Sequence, residues 1–203
     1  MAPTAATGLD GLAELPTLVL ASASPRRREL IARLGLTPQR VVAADIDETP
    51  NPTEPPRDYA RRMAREKALA VVDPVAHILS GDTVVAVGRR ILPKADDFDT
   101  ARSCLNLLSG RRHRVLSAVA LRAPDGTLRE RLSETIVRFK PLSPAERDAY
   151  LASGEWQGKA GGYAIQGSAE GLIAWISGSH SGVVGLPLFE TRALLRAAGF
   201  PSG

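Results

Sequence analysis

A hairpin signal in the second half of the chain restricts the fold more than any other feature. Two stretches rich in strand-forming residues, 114–123 and 128–139, flank the turn residues Pro124-Asp125-Gly126. This pattern predicts two antiparallel strands joined by a tight turn. Elsewhere, short apolar runs alternate with amphipathic helical stretches, an arrangement that favours parallel pairing. The chain is therefore predicted to be an α/β protein with a mixed central sheet and flanking helices.

The remaining elements follow from apolar periodicity and from capping residues. Strands are predicted at 17–23, 40–44, 78–87 and 172–177, and helices at 57–72, 96–109 and 187–198. A further helix is predicted to begin after Ser24, with Pro25 in its first turn, and to end at Gly35. Ser143-Pro144-Ala145-Glu146 is a capping box that predicts another helix start. Residues 158–167 are predicted to be a glycine-rich loop.

Length and composition bound the kind of protein. Residues 17–203 are expected to form one domain, preceded by a loose leader over 1–16 that lacks the basic start and apolar run of a secretory signal. No stretch approaches the ~18–20 apolar residues that span a bilayer, so no membrane partner is expected. The single cysteine, Cys104, excludes an internal disulfide and favours the cytoplasm. A net charge of +4 suits an anionic partner without identifying it.

Three consecutive arginines, Arg26, Arg27 and Arg28, fall in the first turn of the helix that begins after Ser24. A helix N-terminus is already positive, so a cation there is unfavourable by about 0.3–1 kcal/mol. Free N–H groups and guanidinium groups together would bind a phosphate. Two other interpretations are arginines that simply face solvent, and a Ser-Pro-basic motif in a DNA groove. The second usually occurs in flexible tails, whereas this segment lies between a strand and a helix.

Lys67 interrupts the apolar face of the helix predicted at 57–72. At 100° per residue it falls between Tyr59 and Met63 on one side and Val71 on the other, while the arginines of this helix lie on the opposite face. A lysine in that position must extend to solvent, pair with an acid or meet a ligand anion.

Two carboxylates, Asp82 and Glu48, are candidate partners for cations. Asp82 lies inside the otherwise apolar strand ILSGDTVVAVG, where a charge must be paired. Glu48 closes the acidic run Asp45-Ile46-Asp47-Glu48, which is expected at a strand end. Carboxylates from two strand ends are typical oxygen ligands for Mg²⁺ or Mn²⁺. For Glu48 alone, a solvated acidic loop is the alternative interpretation.

Other nucleotide and metal motifs are missing from the sequence. Gly154 to Lys159 has the wrong spacing for a Walker A motif, and no G-x-G-x-x-G follows a strand. His77, His113 and His180 are scattered without the spacing of a zinc site, so they are expected to be structural. Cys104 is expected to pack in a helix interface.

Seven segments, in this order, resemble the Maf-like nucleoside triphosphate pyrophosphatases, whose fold is of the inosine triphosphatase-like α/β type with two lobes around a cleft. They are LASASPRRREL (20–30), AREKA (64–68), GDTVV (81–85), LPK (92–94), LSGRRHRV (108–115), KAGGYAIQG (159–167) and VVGLPLFET (183–191). Three positions depart from the family pattern: Ala95 replaces a usual proline, Gly158 a common acid, and His180 to Gly182 a segment that often reads S-Y-x-N.

The resemblance implies roles for individual residues. Asp82 matches the family's proton acceptor, and Glu48, Lys67 and Lys94 match the other acidic and basic active-site positions. Ser22, Arg26 and Arg27 match the phosphate-binding turn. Arg26, Thr83 and Gln166 match positions that separate substrate subgroups. A threonine after the aspartate resembles the branch that acts on dTTP and UTP, whereas the branch that acts on 7-methyl-GTP usually has glutamine there.

The expected reaction is attack of water on the α-phosphorus of a nucleoside triphosphate, with pyrophosphate leaving, in a nucleotide-pool housecleaning role. A divalent cation, Mg²⁺ or Mn²⁺, would be held by Asp82 and Glu48. The family often forms dimers, so a homodimer is the expected assembly. Three alternatives stay open: activity on 7-methyl-GTP or other modified nucleotides, a nucleotide-binding regulator of cell division with little turnover, and nucleic-acid binding. Aromatic residues are only 4% of the chain, which disfavours base stacking and a nucleic-acid partner.

Overall fold

The computed structural model describes residues 16–201 of the 203-residue chain. The predicted leader therefore lies outside the described residues, apart from Pro16. Within the described part, no helix is both long and apolar enough to cross a membrane.

The elements follow one another in mixed α/β order. The strands are β1 (Leu18–Ala21), β2 (Arg40–Val42), β3 (His77–Val87), β4 (Arg90–Leu92), β5 (Lys94–Ala95), β6 (Arg112–Arg122), β7 (Leu128–Phe139), β8 (Lys159–Ala160) and β9 (Ile173–Ser177). The helices are α1 (Pro25–Ala32), α2 (Pro56–Ala70), α3 (Phe98–Leu108), α4 (Pro144–Ala152), α5 (His180–Val184) and α6 (Leu188–Ala197), and a 3₁₀ turn covers Ser168–Leu172.

Seven strands form the central sheet in the order β2-β1-β3-β6-β7-β9, with β4 paired to β3. Pairing is parallel around β1 and antiparallel from β3 to β9. The hairpin predicted from the turn residues is present, because β6 and β7 pair from Arg112↔Arg138 to Arg122↔Leu128. The predicted mixed sheet with flanking helices is confirmed.

The centre of the sheet is buried on both faces, as β6 shows. Its side chains alternate between faces, so Val115, Val119 and Leu121 join the larger core with α3, α4 and α6. Leu116, Ala118 and Ala120 pack instead against α2, next to Met63. Side chains alternate in the same way along β3. Asp82 points toward Lys67 on α2, and its neighbour Thr83 points toward Gly185, just after α5.

The prediction that Glu48 lies at a strand end is wrong, because β2 is shorter than predicted. β2 pairs only with β1, and their last register pair is Ala21↔Val42, because β1 then turns into α1. The strand therefore stops two residues before the predicted Ala44. Glu48 lies in the irregular segment 43–55 and not at a strand end.

The short strand β4 was expected after the turn at Gly88 to Arg90, but other short elements were not predicted. The glycine-rich stretch contains β8, which pairs with β5 in a separate two-stranded sheet. The helix α5 also lacked a sequence signal, since five residues are too few to show helical periodicity. At α1, Ser24 is the N-cap residue, but its side chain makes no capping hydrogen bond. Its backbone N–H group donates to Oγ of Ser22 at 3.2 Å.

Candidate active site

One cavity of about 410 Å³ opens between the start of α1, the middle of β3 and the β5–β8 ladder. All the residues to which the resemblance gave a role line this cavity, although they come from six separate segments. They are Ser22, Arg26, Arg27, Glu48, Lys67, Asp82, Thr83, Lys94 and Gln166. The fold thus brings the predicted cations and carboxylates together in one place.

An ammonium group bridges two carboxylates at the centre of the site. The Nζ atom of Lys67 donates to Oδ1 of Asp82 at 2.7 Å and lies 2.8 Å from Oε1 of Glu48. Lys67 and Asp82 are 6% and 7% exposed, so Lys67 does not extend to solvent from the apolar face of α2. Of the three ways to accommodate this lysine, pairing with an acid is the one observed.

Glu48 joins this buried pair to a second lysine. Its Oε2 atom accepts a hydrogen bond from Nζ of the exposed Lys94 at 2.5 Å. Partial burial by itself would raise the pKa of Glu48, but the ammonium groups of Lys67 and Lys94 outweigh burial and lower the pKa to about 2. Glu48 therefore stays charged at neutral pH, and two carboxylates balance two ammonium groups.

Backbone pairing fixes Lys94. β5 contains only Lys94 and Ala95, and it forms its ladder with β8 in the register Lys94↔Ala160. Ala95, which departs from the family pattern, is fully buried. The lysine backbone is thus held by the ladder even without the usual proline.

Two of the three consecutive arginines face the cavity. The Nη1 atom of Arg27 donates to Oγ of Ser22 at 2.9 Å, and its Nε atom donates to the backbone oxygen of Gly185 at 2.8 Å. Arg26 also lines the cavity, and burial lowers the pKa of its guanidinium although Glu29 opposes that shift. Arg28 is exposed and lies away from the cavity lining. No acidic side chain falls in the first turn of α1 to balance this positive end.

Lys159 is a cationic residue of the cavity that sequence reasoning missed. It lies in β8, and burial together with the nearby charge of Arg26 lowers its pKa. Its Nζ atom donates to the backbone oxygen of Gln157 at 2.8 Å. The segment KAGGYAIQG contributed to the resemblance, but a lysine next to glycines carries no periodic signal that points it into a site.

The histidines and the cysteine do not line this cavity. His113 is buried, its Nε2 atom lies 2.8 Å from the Tyr163 hydroxyl, and burial lowers its pKa to about 4. Cys104 is buried in the core with Leu105 and Leu108. Both observations agree with the predicted structural roles.

The carboxylates present fit a divalent cation of the magnesium type. Among residues 16–201, no group of three or more His, Cys, Asp and Glu side chains could hold a metal ion by itself. Mg²⁺ in phosphate-transfer sites is commonly held by one or two carboxylates, with substrate phosphates and waters completing its shell. Asp82 and Glu48, which share the same ammonium group as a partner, supply that number of carboxylates.

Comparison with known proteins places the chain in a family. A family model described as Maf-like protein matches residues 17–198. The chain belongs to the Maf-like family. A relative from Novosphingobium aromaticivorans named dTTP/UTP pyrophosphatase is 68% identical over 93% of this chain and 94% of its own length. A relative of the same name from Rhodospirillum rubrum is 60% identical, with coverages of 92% and 90%.

Among solved structures, the Staphylococcus aureus Ham1 protein matches this Maf-like chain with a TM-score of 0.43 and 15% identity. The matched part covers 61% of this chain and 71% of the other.

Proposed function

We propose that this Maf-like protein hydrolyses dTTP and UTP to the nucleoside monophosphate and pyrophosphate. The observation that carries the proposal is the convergence of the four predicted cations and the two predicted carboxylates on one cavity, to which Lys159 adds a fifth cation. The predicted residues are Arg26, Arg27, Lys67, Lys94, Asp82 and Glu48. The relatives named dTTP/UTP pyrophosphatase support the choice of substrate.

The cationic residues would hold the triphosphate and neutralise the charge that develops on its oxygens. Such a transition state has little covalent chemistry for a protein to perform, so fixed positive groups supply most of the stabilisation. Arg27 is restrained by two hydrogen bonds before any substrate arrives, which keeps its guanidinium from having to reorganise. Arg26 and Lys94, which also line the cavity, add further charge.

Asp82 would orient the attacking water and accept its proton. Its Oδ1 atom is held by Lys67, so we assign the water to the other carboxylate oxygen. Lys67 would thus fix both Asp82 and Glu48 without touching the water. A Mg²⁺ or Mn²⁺ ion held by these carboxylates would supply additional positive charge at the phosphate oxygens.

The base would be recognised near Gln166. An amide side chain can both donate to and accept from the O4/N3 edge of a pyrimidine. Thr83, rather than glutamine, after Asp82 favours dTTP and UTP over 7-methyl-GTP as substrates. We place this activity in the cytoplasm, because Cys104 is a free thiol and nucleotide-pool housecleaning is cytoplasmic work. The homodimer and the divalent cation stay predictions.

The test is product identification with a panel of triphosphates. The protein is incubated with dTTP, UTP, 7-methyl-GTP and ATP in the presence of Mg²⁺ or Mn²⁺, and products are separated by ion-exchange chromatography. We expect monophosphate and pyrophosphate, fastest from dTTP and UTP. The Asp82→Asn variant should keep its circular dichroism spectrum and lose turnover by orders of magnitude.

Other outcomes would overturn the proposal in distinct ways. Nucleoside diphosphate and orthophosphate as products would mean attack at the γ-phosphorus. Preference for 7-methyl-GTP would support the other branch of the family. Tight nucleotide binding with no turnover at catalytic protein concentration would support a nucleotide-binding regulator.

A further inference from the structure

A chain of hydroxyl groups links β3 and β6 to the turn that contacts Arg27. Thr83 Oγ1 lies 2.9 Å from Ser117 Oγ and 3.3 Å from the backbone oxygen of Gly185. Ser117 Oγ donates to the backbone oxygen of Gly182 at 2.5 Å. Ser117 is only 1% exposed, so this part of the chain of hydrogen bonds is shielded from water.

The Thr83 hydroxyl donates its proton within this chain of hydroxyl groups. Each hydroxyl group has one proton to donate. Ser117 uses its proton on Gly182, so Thr83 must donate, either to Ser117 or to Gly185. Thr83 has committed its proton, and it could meet a nucleobase only as an acceptor.

The same carbonyl that Thr83 approaches also fixes Arg27. Gly185 O accepts the hydrogen bond from Arg27 Nε, across 158 residues of sequence. Gly185 has a φ of 143°, a conformation that side-chain-bearing residues rarely adopt, so its carbonyl direction depends on the glycine. Ser117 and Thr83 hold this turn on the sheet by hydrogen bonds to Gly182 and Gly185, at its two ends.

We propose that Ser117 and Thr83 are positioning residues, which hold the Gly185 carbonyl so that it aims Arg27 at the phosphate chain. Under this proposal the two hydroxyl groups affect how strongly any triphosphate is held, whatever its base. The proposal deepens the proposed function, on which it rests for the identity of the substrate. This role is separate from the substrate-subgroup role that the resemblance gives to position 83.

A probe without a base tests this positioning role apart from base recognition. Inorganic tripolyphosphate binding is measured by isothermal titration calorimetry for wild type, Thr83→Val, Ser117→Ala, Arg27→Ala and the double variant Arg27→Ala/Thr83→Val. Valine keeps the shape and strand propensity of threonine and removes only the hydroxyl. Loss of a hydrogen bond to a buried carbonyl is expected to weaken binding about tenfold in each hydroxyl variant.

Three controls accompany these variants. Thr83→Ser retains the hydroxyl and should bind tripolyphosphate nearly as wild type does. Ser133→Ala removes another buried serine, directly opposite Ser117 in the sheet register and outside the hydroxyl chain, and it should change nothing. Once Arg27 is absent there is no guanidinium to aim, so the double variant should bind no more weakly than Arg27→Ala alone.

Nucleotide turnover then completes the test. We expect Ser117→Ala to lower kcat/KM for dTTP, UTP and dCTP by the same factor, because Ser117 is buried and does not line the cavity. The proposal is wrong if tripolyphosphate binding is unchanged, or if the relative preference among these bases shifts. The proposed function and the positioning role can fail separately. If wild type hydrolyses no nucleotide, the proposed function is refuted. If the affinity for tripolyphosphate still falls in both hydroxyl variants, the positioning role is supported.

Discussion

Replacing Lys67 with methionine should destabilise the fold strongly, because it leaves a buried carboxylate without its partner. Methionine has similar length and flexibility but no charge, so packing on the apolar face of α2 is largely kept. Asp82 would remain 7% exposed in the middle of β3 with no ammonium group at 2.7 Å.

The magnitude follows from which of the two acids is truly buried. Removing one partner of a buried ion pair typically costs about 3–5 kcal/mol. The Glu48 side chain is 37% exposed and keeps Lys94, so its contribution is small. We therefore expect the free energy of unfolding of Lys67→Met to fall by about 3–5 kcal/mol at pH 7, nearly all of it from Asp82.

Urea unfolding followed by tryptophan fluorescence measures this loss, since Trp156 is buried in the core. The double variant Lys67→Met/Asp82→Asn has no buried charge at this position and should recover most of the stability. Arg61→Met, on the exposed face of the same helix, is the matched control and should stay within about 0.5 kcal/mol of wild type. A Lys67→Met variant as stable as that control would refute the buried pairing described for the site.

Other predictions concern acid stability and the cavity walls. Burial lowers the pKa of His113 to about 4 in the fold from an ordinary 6.5, so the native state excludes a proton that the unfolded chain binds. The free energy of unfolding should therefore fall by about 3 kcal/mol between pH 7 and pH 4. In urea-unfolding measurements over this pH range, His113→Gln should show a weaker pH dependence than wild type. The pKa of Glu48 is also lowered, to about 2 from 4.5, so its smaller contribution to the free energy of unfolding should disappear as pH falls from 4.5 toward 2. Glu48→Gln should lose this pH dependence, and it should also lose most turnover. Gly161→Ala should raise KM, because a Cβ atom there would lie 2.8 Å from Cγ1 of Val85 and must shift the turn beside Lys159. An unchanged KM would show that this turn does not shape the substrate site.

The parts of the site that the sequence could predict depend on periodicity. Lys67 in the apolar arc of a helix and Asp82 in an apolar strand each implied a buried charge, and the two prove to be partners. The hairpin of β6 and β7 was also predictable, because turn residues flanked by long strand-forming runs allow few other structures.

The rest depended on contacts between distant segments or on elements too short to show a pattern. The Arg27 contact with Gly185 spans most of the chain, and nothing local to either residue indicates it. The two-residue strands that fix Lys94 have no periodicity at all. The position of Glu48 was misjudged for a related reason, since β2 ends where its only partner strand ends, which the sequence of β2 does not reveal.

Isotope transfer from water tests the central claim most directly. The protein is allowed to hydrolyse dTTP in water enriched in ¹⁸O, and the products are analysed by mass spectrometry. Attack on the α-phosphorus by a water held at Asp82 predicts that the label appears in the thymidine monophosphate and is absent from the pyrophosphate. Label in pyrophosphate, or in released orthophosphate, would contradict the account.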